Sequence, residues 1–227
     1  AISLAAAEIK KIDSPVAGRA NVLIVPDLEA GNMLAKSLSF LAGADAAGRD
    51  AWFAERAVAS GLVFRHVNGM TGEFYMPEIL GPGAALIDYD NDGDLDVYLV
   101  QGGSLGRGAD DSSAGGDRLF RNDLEIGADG TRTLGFTDVT AELGIDARTY
   151  GFGVATGDFD NDGWTDLYLA RLGRDLVLRN DGGVAFREVS AEVGIDNEAW
   201  SVSASFVDFD RDGWLDLYVG NYLRYSV

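Results

Sequence analysis

The sequence predicts a mainly β fold, a partial β-propeller whose blades carry acidic hairpin loops, preceded by a short α/β segment. Three observations favour this fold: an acidic nine-residue pattern occurs three times, each copy lies between alternating apolar runs, and the copies belong to longer repeated units. Units of about 50 residues with about four strands each are typical of propeller blades. We therefore expect about three such units in residues 49–227, the last of them incomplete.

The acidic loops read "DYDNDGDLD" at residues 88–96, "DFDNDGWTD" at 158–166 and "DFDRDGWLD" at 208–216. All three have aspartate at positions one, three, five and nine and glycine at position six. Each follows an apolar run such as "GFGVATG" and precedes another such as "DLYLAR". Short runs with a period of two residues are typical of strands. Each loop is therefore predicted to join the two strands of a β-hairpin.

The repeat extends beyond the loops. "FTDVTAELGID" from Phe136 matches "FREVSAEVGID" from Phe186, and a weaker third copy begins at Phe53. "FRND" from Phe120 is echoed by "LRND" from Leu178. The first unit is longer because it carries two insertions, "RHVNGMTGEFYMP" before its acidic loop and "GGSLGRGADDSSAGG" after it. The second insertion has the composition of a surface loop.

So many carboxylates in one short loop indicate a bound cation. Like charges about 4 Å apart repel by about 4 kcal/mol near a protein surface, and the alternative of a merely solvated acidic turn does not explain why the pattern recurs. Calcium accepts 6–8 oxygen ligands in a flexible cage, whereas zinc prefers nitrogen and sulfur. The chain has no cysteine and a single histidine, His66, which we interpret as a packing or surface residue. The sequence therefore predicts about three Ca²⁺ sites.

These loops differ from EF-hand loops, which also open with Asp-x-Asp-x-Asp-Gly. An EF-hand needs a bidentate glutamate at position twelve. Position twelve is occupied here by Leu99, Leu169 and Val219. The flanking runs also predict strands rather than the helices of an EF-hand.

Residues 50–227 resemble the FG-GAP or VCBS repeat family of calcium-loop β-propellers. More narrowly, "FRHVNGMTGEFYMPEILGPGAALIDYDNDGDLDVYLVQGG" is similar to the cartilage acidic protein and ASPIC/UnbV-like group of secreted and bacterial proteins. The resemblance implies side-chain ligands at positions one, three, five and nine and a backbone carbonyl ligand at position seven. These ligands are Asp88, Asp90, Asp92, Asp94 (carbonyl) and Asp96; Asp158, Asp160, Asp162, Trp164 (carbonyl) and Asp166; and Asp208, Asp210, Asp212, Trp214 (carbonyl) and Asp216.

Residues 1–48 form a separate predicted domain that does not repeat later in the chain. A buried-strand run at residues 22–25 precedes a helical pattern with Leu34, Leu38 and Leu41 on one face. The run "VPDLEAGN" resembles the phosphate acetyltransferases and butyryltransferases, of which this segment would be a short fragment. The later segment that carries the Ser-Arg of that family is absent from the chain. We therefore expect residues 1–48 to be a fragment or fusion without catalytic activity of its own.

The composition argues against two classes of binding partner, nucleic acids and membranes. The chain has 18 basic and 37 acidic residues, a net charge of −19, which argues against nucleic acid and anionic membranes. No apolar run is long enough to insert into a membrane, and no signal peptide is visible. The absence of cysteine is compatible with a secreted bacterial protein or with a cytosolic one, and the family resemblance favours an extracellular or periplasmic location.

Two classes of function follow from the sequence. The first is a non-enzymatic calcium-binding module for adhesion, structure or binding of a protein or carbohydrate ligand. The second is an enzyme, either a propeller enzyme or a phosphate acyltransferase that uses residues 1–48. Carboxylates committed to a metal are poor general acids, and no other acidic pair stands out, so the sequence favours the first class. Because a closed propeller needs at least four blades, we also expect further blades or another chain to complete the ring.

Overall fold

Twelve short strands and one helical turn make up the described part of the chain. The computed structural model of the chain describes residues 55–105 and 115–223. The elements are α1 (Met76–Ile79), β1 (Ala84–Ile87), β2 (Asp96–Leu99), β3 (Arg118–Asn122), β4 (Glu125–Ile126), β5 (Arg132–Thr133), β6 (Phe136–Asp138), β7 (Gly151–Gly157), β8 (Asp166–Arg171), β9 (Leu176–Asn180), β10 (Phe186–Glu188), β11 (Trp200–Val207) and β12 (Asp216–Leu223).

The strands form antiparallel sheets that follow the sequence repeat. The first repeat has the strand order β1-β2-β3-β6, the second has β7-β8-β9-β10, and the third consists of the hairpin β11-β12. Strands β4 and β5 form a small separate hairpin between β3 and β6. In every repeat the acidic loop joins the first two strands, and its position-nine aspartate opens the second strand. The prediction of one hairpin per loop is confirmed.

The hydrophobic core lies between consecutive sheets. One cluster packs the first sheet on the second through residues such as Tyr98, Leu119 and Leu167. A second cluster packs the second sheet on the third hairpin through Tyr168 and Val177. All six residues of β8 are buried, because sheets cover both faces of that strand. Apolar residues alternate less strictly in β8 than in an outer strand for the same reason.

Glycines let the first strands of neighbouring sheets approach closely. Strand β7 lies beside both β1 and β11. A Cβ added at Gly83 would lie 3.0 Å from the carbonyl oxygen of Phe152, and one at Gly153 would lie 2.7 Å from that of Val202. Side chains at these points would therefore push the sheets apart. This close contact between the first strands of successive sheets is the arrangement of a partial β-propeller.

A buried ion pair also joins the first two sheets. Nη2 of Arg171, at the end of β8, lies 3.1 Å from Oδ2 of Asp117, and both side chains are fully buried. Asp117 precedes β3 and also accepts hydrogen bonds from the hydroxyl of Tyr98 (2.9 Å) and the N–H of Gln101 (2.8 Å). Asp175 occupies the equivalent position in the second repeat and accepts a hydrogen bond of 2.6 Å from the hydroxyl of Tyr168 in β8. A buried, fully hydrogen-bonded carboxylate thus anchors the start of the third strand in both repeats.

The first insertion packs on the second repeat. The hydroxyl of Tyr150 donates to the carbonyl oxygens of Asn68 (2.8 Å) and Pro77 (3.1 Å). Tyr150 also stacks on Phe152, with ring centroids 5.1 Å apart. The inserted residues before the first acidic loop therefore form an ordered contact between repeats.

The mainly β fold and the partial propeller are confirmed. The three sheets belong to one compact unit that begins at Arg56. The α/β segment predicted for residues 1–48, its boundary at residue 49 and the middle of the second insertion lie outside the described residues. Within the described ranges, no helix combines the length and the hydrophobicity that crossing a bilayer requires.

Candidate metal centres

Three carboxylates from each acidic loop converge in the structure. In every loop they belong to positions one, three and nine, and one oxygen of each carboxylate lies within 4.8 Å of the other two. The groups are Asp88, Asp90 and Asp96; Asp158, Asp160 and Asp166; and Asp208, Asp210 and Asp216. The position-nine aspartate is buried in the first two groups and exposed in the third. Nine of the predicted ligands therefore come together in threes.

A left-handed turn in the middle of each loop brings these carboxylates together. The residues at positions four and six have positive φ in all three loops. In the first loop φ is 57° at Asn91 and 91° at Gly93. Glycine adopts this conformation without steric cost, and asparagine is enriched there among the other residues. The turn directs the two ends of the loop toward position three.

Backbone N–H groups hold the position-one carboxylate. In the first loop the N–H of Asp92 donates to Oδ1 of Asp88, and the N–H of Gly93 donates to Oδ2, both at 3.1 Å. The same pair of bonds forms at Asp158 and Asp208. Each position-one carboxylate is therefore oriented by the loop that contains it.

The position-five carboxylates lie outside the three groups. Oδ1 of Asp92 accepts a hydrogen bond of 2.8 Å from the N–H of Asp94. The other two loops make the same bond, from Trp164 to Asp162 and from Trp214 to Asp212. One oxygen of each position-five aspartate is thus committed to its own turn, as in an Asx-turn. Direct binding of metal by these three side chains, and by the carbonyls at position seven, remains a prediction.

The position-nine carboxylate connects the loop to the rest of its sheet. Oδ2 of Asp96 accepts from the N–H of Tyr89 (3.0 Å), and Oδ1 accepts from the N–H of Asn122 in β3 (2.8 Å). Asp166 makes the equivalent bonds with Phe159 (3.1 Å) and Asn180 (2.8 Å). Sequence reasoning did not assign these asparagines a role at the site, although the repeated Arg-Asn-Asp marked their positions.

The structure supports an oxygen-bound cation at the first two loops. Oδ1 of Asp90 and Oδ1 of Asp160 are buried and have no hydrogen-bond partner. An unpaired buried carboxylate oxygen costs free energy unless a donor or a cation compensates it. The donors in each group are all carboxylate oxygens, which suit calcium and magnesium rather than zinc. The residues present therefore fit a hard divalent cation.

Burial raises the pKa values of the carboxylates at positions three and nine of the first two loops. It raises the pKa of Asp96 to about 6 and the pKa of Asp166 to about 7. Burial, together with the neighbouring charge at position five, also raises the pKa of Asp90 and of Asp160. These shifts belong to the metal-free loops, since a divalent cation between the carboxylates would favour their ionised forms.

The side chains of His66 and Trp164 both pack against neighbouring parts of the protein. The ring of His66 lies close to Gly102, both of its nitrogen atoms are buried without a partner, and burial lowers its pKa. The ring of Trp164 lies beside Gly183 and near the backbone of Asp90 in the preceding loop. The apolar run "GFGVATG" forms strand β7, as its alternating pattern predicts.

The fold and the repeated loops define a repeat protein of the propeller type. The family model described as FG-GAP-like repeat matches residues 88–169 and 158–219, which together make up more than half of the chain. The chain belongs to the FG-GAP-like repeat family. The matched residues include all three acidic loops, and the family expected from the sequence is therefore confirmed.

The N-terminal residues have separate relatives. The family model for phosphate acetyl/butaryl transferase matches residues 1–49. The segment is 71% identical over 48 residues to a phosphate acetyltransferase of Rhizobium meliloti, covering 21% of this chain and 15% of that protein. It is 65% identical over 48 residues to the phosphate acetyltransferase of Rickettsia prowazekii (21% of this chain, 14% of that protein) and 53% identical over 47 residues to a probable phosphate butyryltransferase of Bacillus subtilis (21% and 16%). The chain spans about 15% of the length of the curated relatives it matches.

Proposed function

We propose that residues 49–227 form a calcium-binding propeller module that acts by binding a partner rather than by catalysis. The observation that carries the proposal is the unpartnered Oδ1 of Asp90 and of Asp160, each buried within a group of three carboxylates. Calcium would neutralise these groups and hold each hairpin loop rigid, so that other loops of the propeller can meet a protein or carbohydrate ligand. About three calcium ions would bind, one in each acidic loop.

Thermal unfolding with calcium, magnesium or EDTA tests this proposal. Metal that binds only the native state stabilises it by about 2.7 kcal/mol per site at a concentration 100-fold above the dissociation constant. We expect the melting temperature to rise steeply with calcium and less with magnesium, which keeps its water ligands. Equal melting temperatures in EDTA and in millimolar calcium would contradict the proposal.

We further propose membership of the cartilage acidic protein and ASPIC/UnbV-like group and an extracellular or periplasmic location. The inserted "NGMTGEFYMPEILGPG" before the first acidic loop supports the narrower group. Extracellular calcium modules typically have dissociation constants of 10⁻⁴ to 10⁻³ M, which suit a compartment rich in calcium. A dissociation constant below about 10⁻⁷ M, typical of intracellular calcium proteins, would argue against this location.

Within the described residues β12 pairs with β11 alone, and its other edge favours a strand partner of defined sequence. The hydroxyls of Tyr98 and Tyr168 are buried against an aspartate that precedes the third strand, whereas the equivalent Tyr218 is 72% exposed. The third strands begin after "D" and end at the asparagine of "RND" in both complete repeats. We therefore propose that β12 pairs with a strand of the form Asp-x-x-x-x-Asn-Asp, supplied by a further repeat or by another chain.

A peptide test distinguishes this pairing from adventitious strand addition. A synthetic peptide with the sequence of residues 174–189, which spans β9 and β10, should bind the full chain and quench the exposed tyrosines of β12. A matched peptide with Asn in place of its first aspartate should bind more weakly, because it cannot reproduce the charged acceptor for Tyr218. Equal binding of both peptides would contradict the assigned sequence form.

The N-terminal similarity favours phosphate acyl transfer as a second candidate function. The observation behind it is the identity of 71% over 48 residues to a phosphate acetyltransferase. Incubation of the full chain with acetyl-CoA and phosphate, followed by an assay of acetyl phosphate, tests it directly. Turnover that disappears when residues 1–48 are deleted would establish this function in place of a purely binding role.

A further inference from the structure

The acidic loops of consecutive repeats are hydrogen-bonded to each other. Nδ2 of Asn91, at position four of the first loop, donates to the carbonyl oxygen of Gly163 in the second loop at 3.0 Å. Nδ2 of Asn161 makes the same bond, also at 3.0 Å, to Gly213 in the third loop. Both asparagines have positive φ. Each loop thus holds a peptide group of the next.

The peptide group that is held also belongs to the neighbouring candidate metal site. The carbonyl of Gly163 and the N–H of Trp164 lie in one planar peptide unit. That N–H donates to Oδ1 of Asp162 at 2.9 Å. The peptide between Gly163 and Trp164 is therefore oriented from both loops. Asn91 of the first loop binds its carbonyl, and Asp162 of the second loop binds its N–H. The carbonyl predicted to bind metal is the next one along the chain.

A second, buried connection joins the first two loops. Oδ2 of Asp96 accepts from the N–H of Tyr89, and the carbonyl of Tyr89 accepts from Nδ2 of Asn180 at 2.8 Å. The N–H of Asn180 in turn donates to Oδ1 of Asp166. Asn180 is fully buried, and its Nδ2 also donates to the carbonyl of Thr165 in the second loop. The position-nine carboxylates of two loops are thus linked through two residues.

We propose that Asn91 and Asn180 are positioning residues that couple calcium binding at the first and second loops. This inference rests on the proposed calcium function. An ion that orders the second loop fixes the carbonyls of Gly163 and Thr165, which accept hydrogen bonds from Asn91 and Asn180. Less of the first loop then remains to be ordered when the first loop binds its own ion. The coupling is reciprocal, as thermodynamic linkage requires. The second and third loops share the equivalent Asn161 bond.

Hydrogen exchange of the second-loop amides can read that loop separately. Tryptophan fluorescence cannot, because the ring of Trp164, at position seven of the second loop, also lies near the backbone of Asp90 in the first loop. Protection of the second-loop amides as a function of calcium concentration gives the affinity of the second loop. Repeating the measurement with Asp90→Ala removes a first-loop carboxylate whose Oδ1 makes no hydrogen bond. We expect the second-loop affinity to fall about fivefold, the low end of typical coupling between sites.

Removing the side-chain amide of Asn91 measures how much this residue contributes to the coupling between the two loops. Asn91→Gly keeps a residue that tolerates positive φ and should reduce the fivefold effect of Asp90→Ala toward onefold. Arg211→Gly is the matched control, because Arg211 occupies the same position in the third loop with φ of 64°. The control should leave the fivefold effect unchanged.

Hydrogen exchange in Asn91→Gly alone gives a second measurement that does not depend on Asp90→Ala folding correctly. In Asn91→Gly, the calcium concentration at which the weaker-binding of the two loops becomes protected should rise relative to the otherwise unchanged chain, by about fivefold at most. Unchanged second-loop affinity in Asp90→Ala, or an unchanged protection midpoint in Asn91→Gly, would overturn the coupling while leaving the calcium function intact. Absence of any calcium response would overturn both.

Discussion

The buried ion pair between Arg171 and Asp117 gives the sharpest prediction about how the repeats are held together. Both side chains are fully buried, and their closest atoms are 3.1 Å apart. Arg171→Leu would leave the Asp117 carboxylate with the Tyr98 hydroxyl and one N–H but without its counter-charge. Breaking a buried pair by removing one partner typically costs 3–5 kcal/mol. At roughly 2–4 °C per kcal/mol for a domain of 150–250 residues, the melting temperature should fall by about 6–20 °C.

The assay is chemical and thermal unfolding in saturating calcium, with an exposed ion pair as control. Arg118 and Asp138 lie 3.4 Å apart with side chains 37% and 45% exposed, so Arg118→Leu should cost less than about 1 kcal/mol. The double variant Arg171→Leu/Asp117→Asn should recover part of the loss, because no unpaired charge stays buried. Equal, small effects of Arg171→Leu and Arg118→Leu would refute the claim that this pair is buried between sheets.

Three further predictions concern packing, pH and the N-terminal segment. Gly153→Ala should cost about 1–3 kcal/mol in denaturant unfolding, because its Cβ would lie 2.7 Å from a carbonyl of β11, whereas Gly81→Ala meets nothing within 4 Å and should be nearly neutral. In EDTA, burial raises the pKa of Asp96 to about 6 and that of Asp166 to about 7. Above about pH 4 the native state therefore binds more protons than the unfolded chain. Melting temperature in EDTA should therefore fall as pH rises from 4 to 8, and a rise would contradict the burial of these carboxylates. Deletion of residues 1–48 should leave the calcium stoichiometry unchanged, and a lost site in isothermal titration would show that the segment takes part in binding.

Local features of the loops could be predicted from the sequence because their causes are local. The glycine at position six and the alternating runs specify a tight turn between two strands, and the structure has one at each copy. Positive φ at Asn91 likewise follows from the turn itself. The acidic nine-residue pattern occurs three times in the chain, so each copy supports the same local structure.

Contacts between repeats could not be predicted from one sequence. Arg171 and Asp117 are 54 residues apart in the chain, and Asn180 and Tyr89 are 91 apart. Their contacts depend on how the sheets stack, which period and spacing do not determine. The position-five aspartates were misjudged for a different, local reason: the sequence position of Asp92 resembles that of a metal ligand, although one of its oxygens accepts a hydrogen bond from the backbone of its own turn.

The most direct test of the central claim is the number of calcium ions bound by the full chain in isothermal titration calorimetry after exhaustive treatment with EDTA. We expect three ions per chain, and two in Asp160→Ala, which removes the buried unpartnered oxygen of the second loop. Binding of no calcium at millimolar concentration would contradict the proposed function. Three ions in both proteins would show that the second loop does not hold its ion through Asp160.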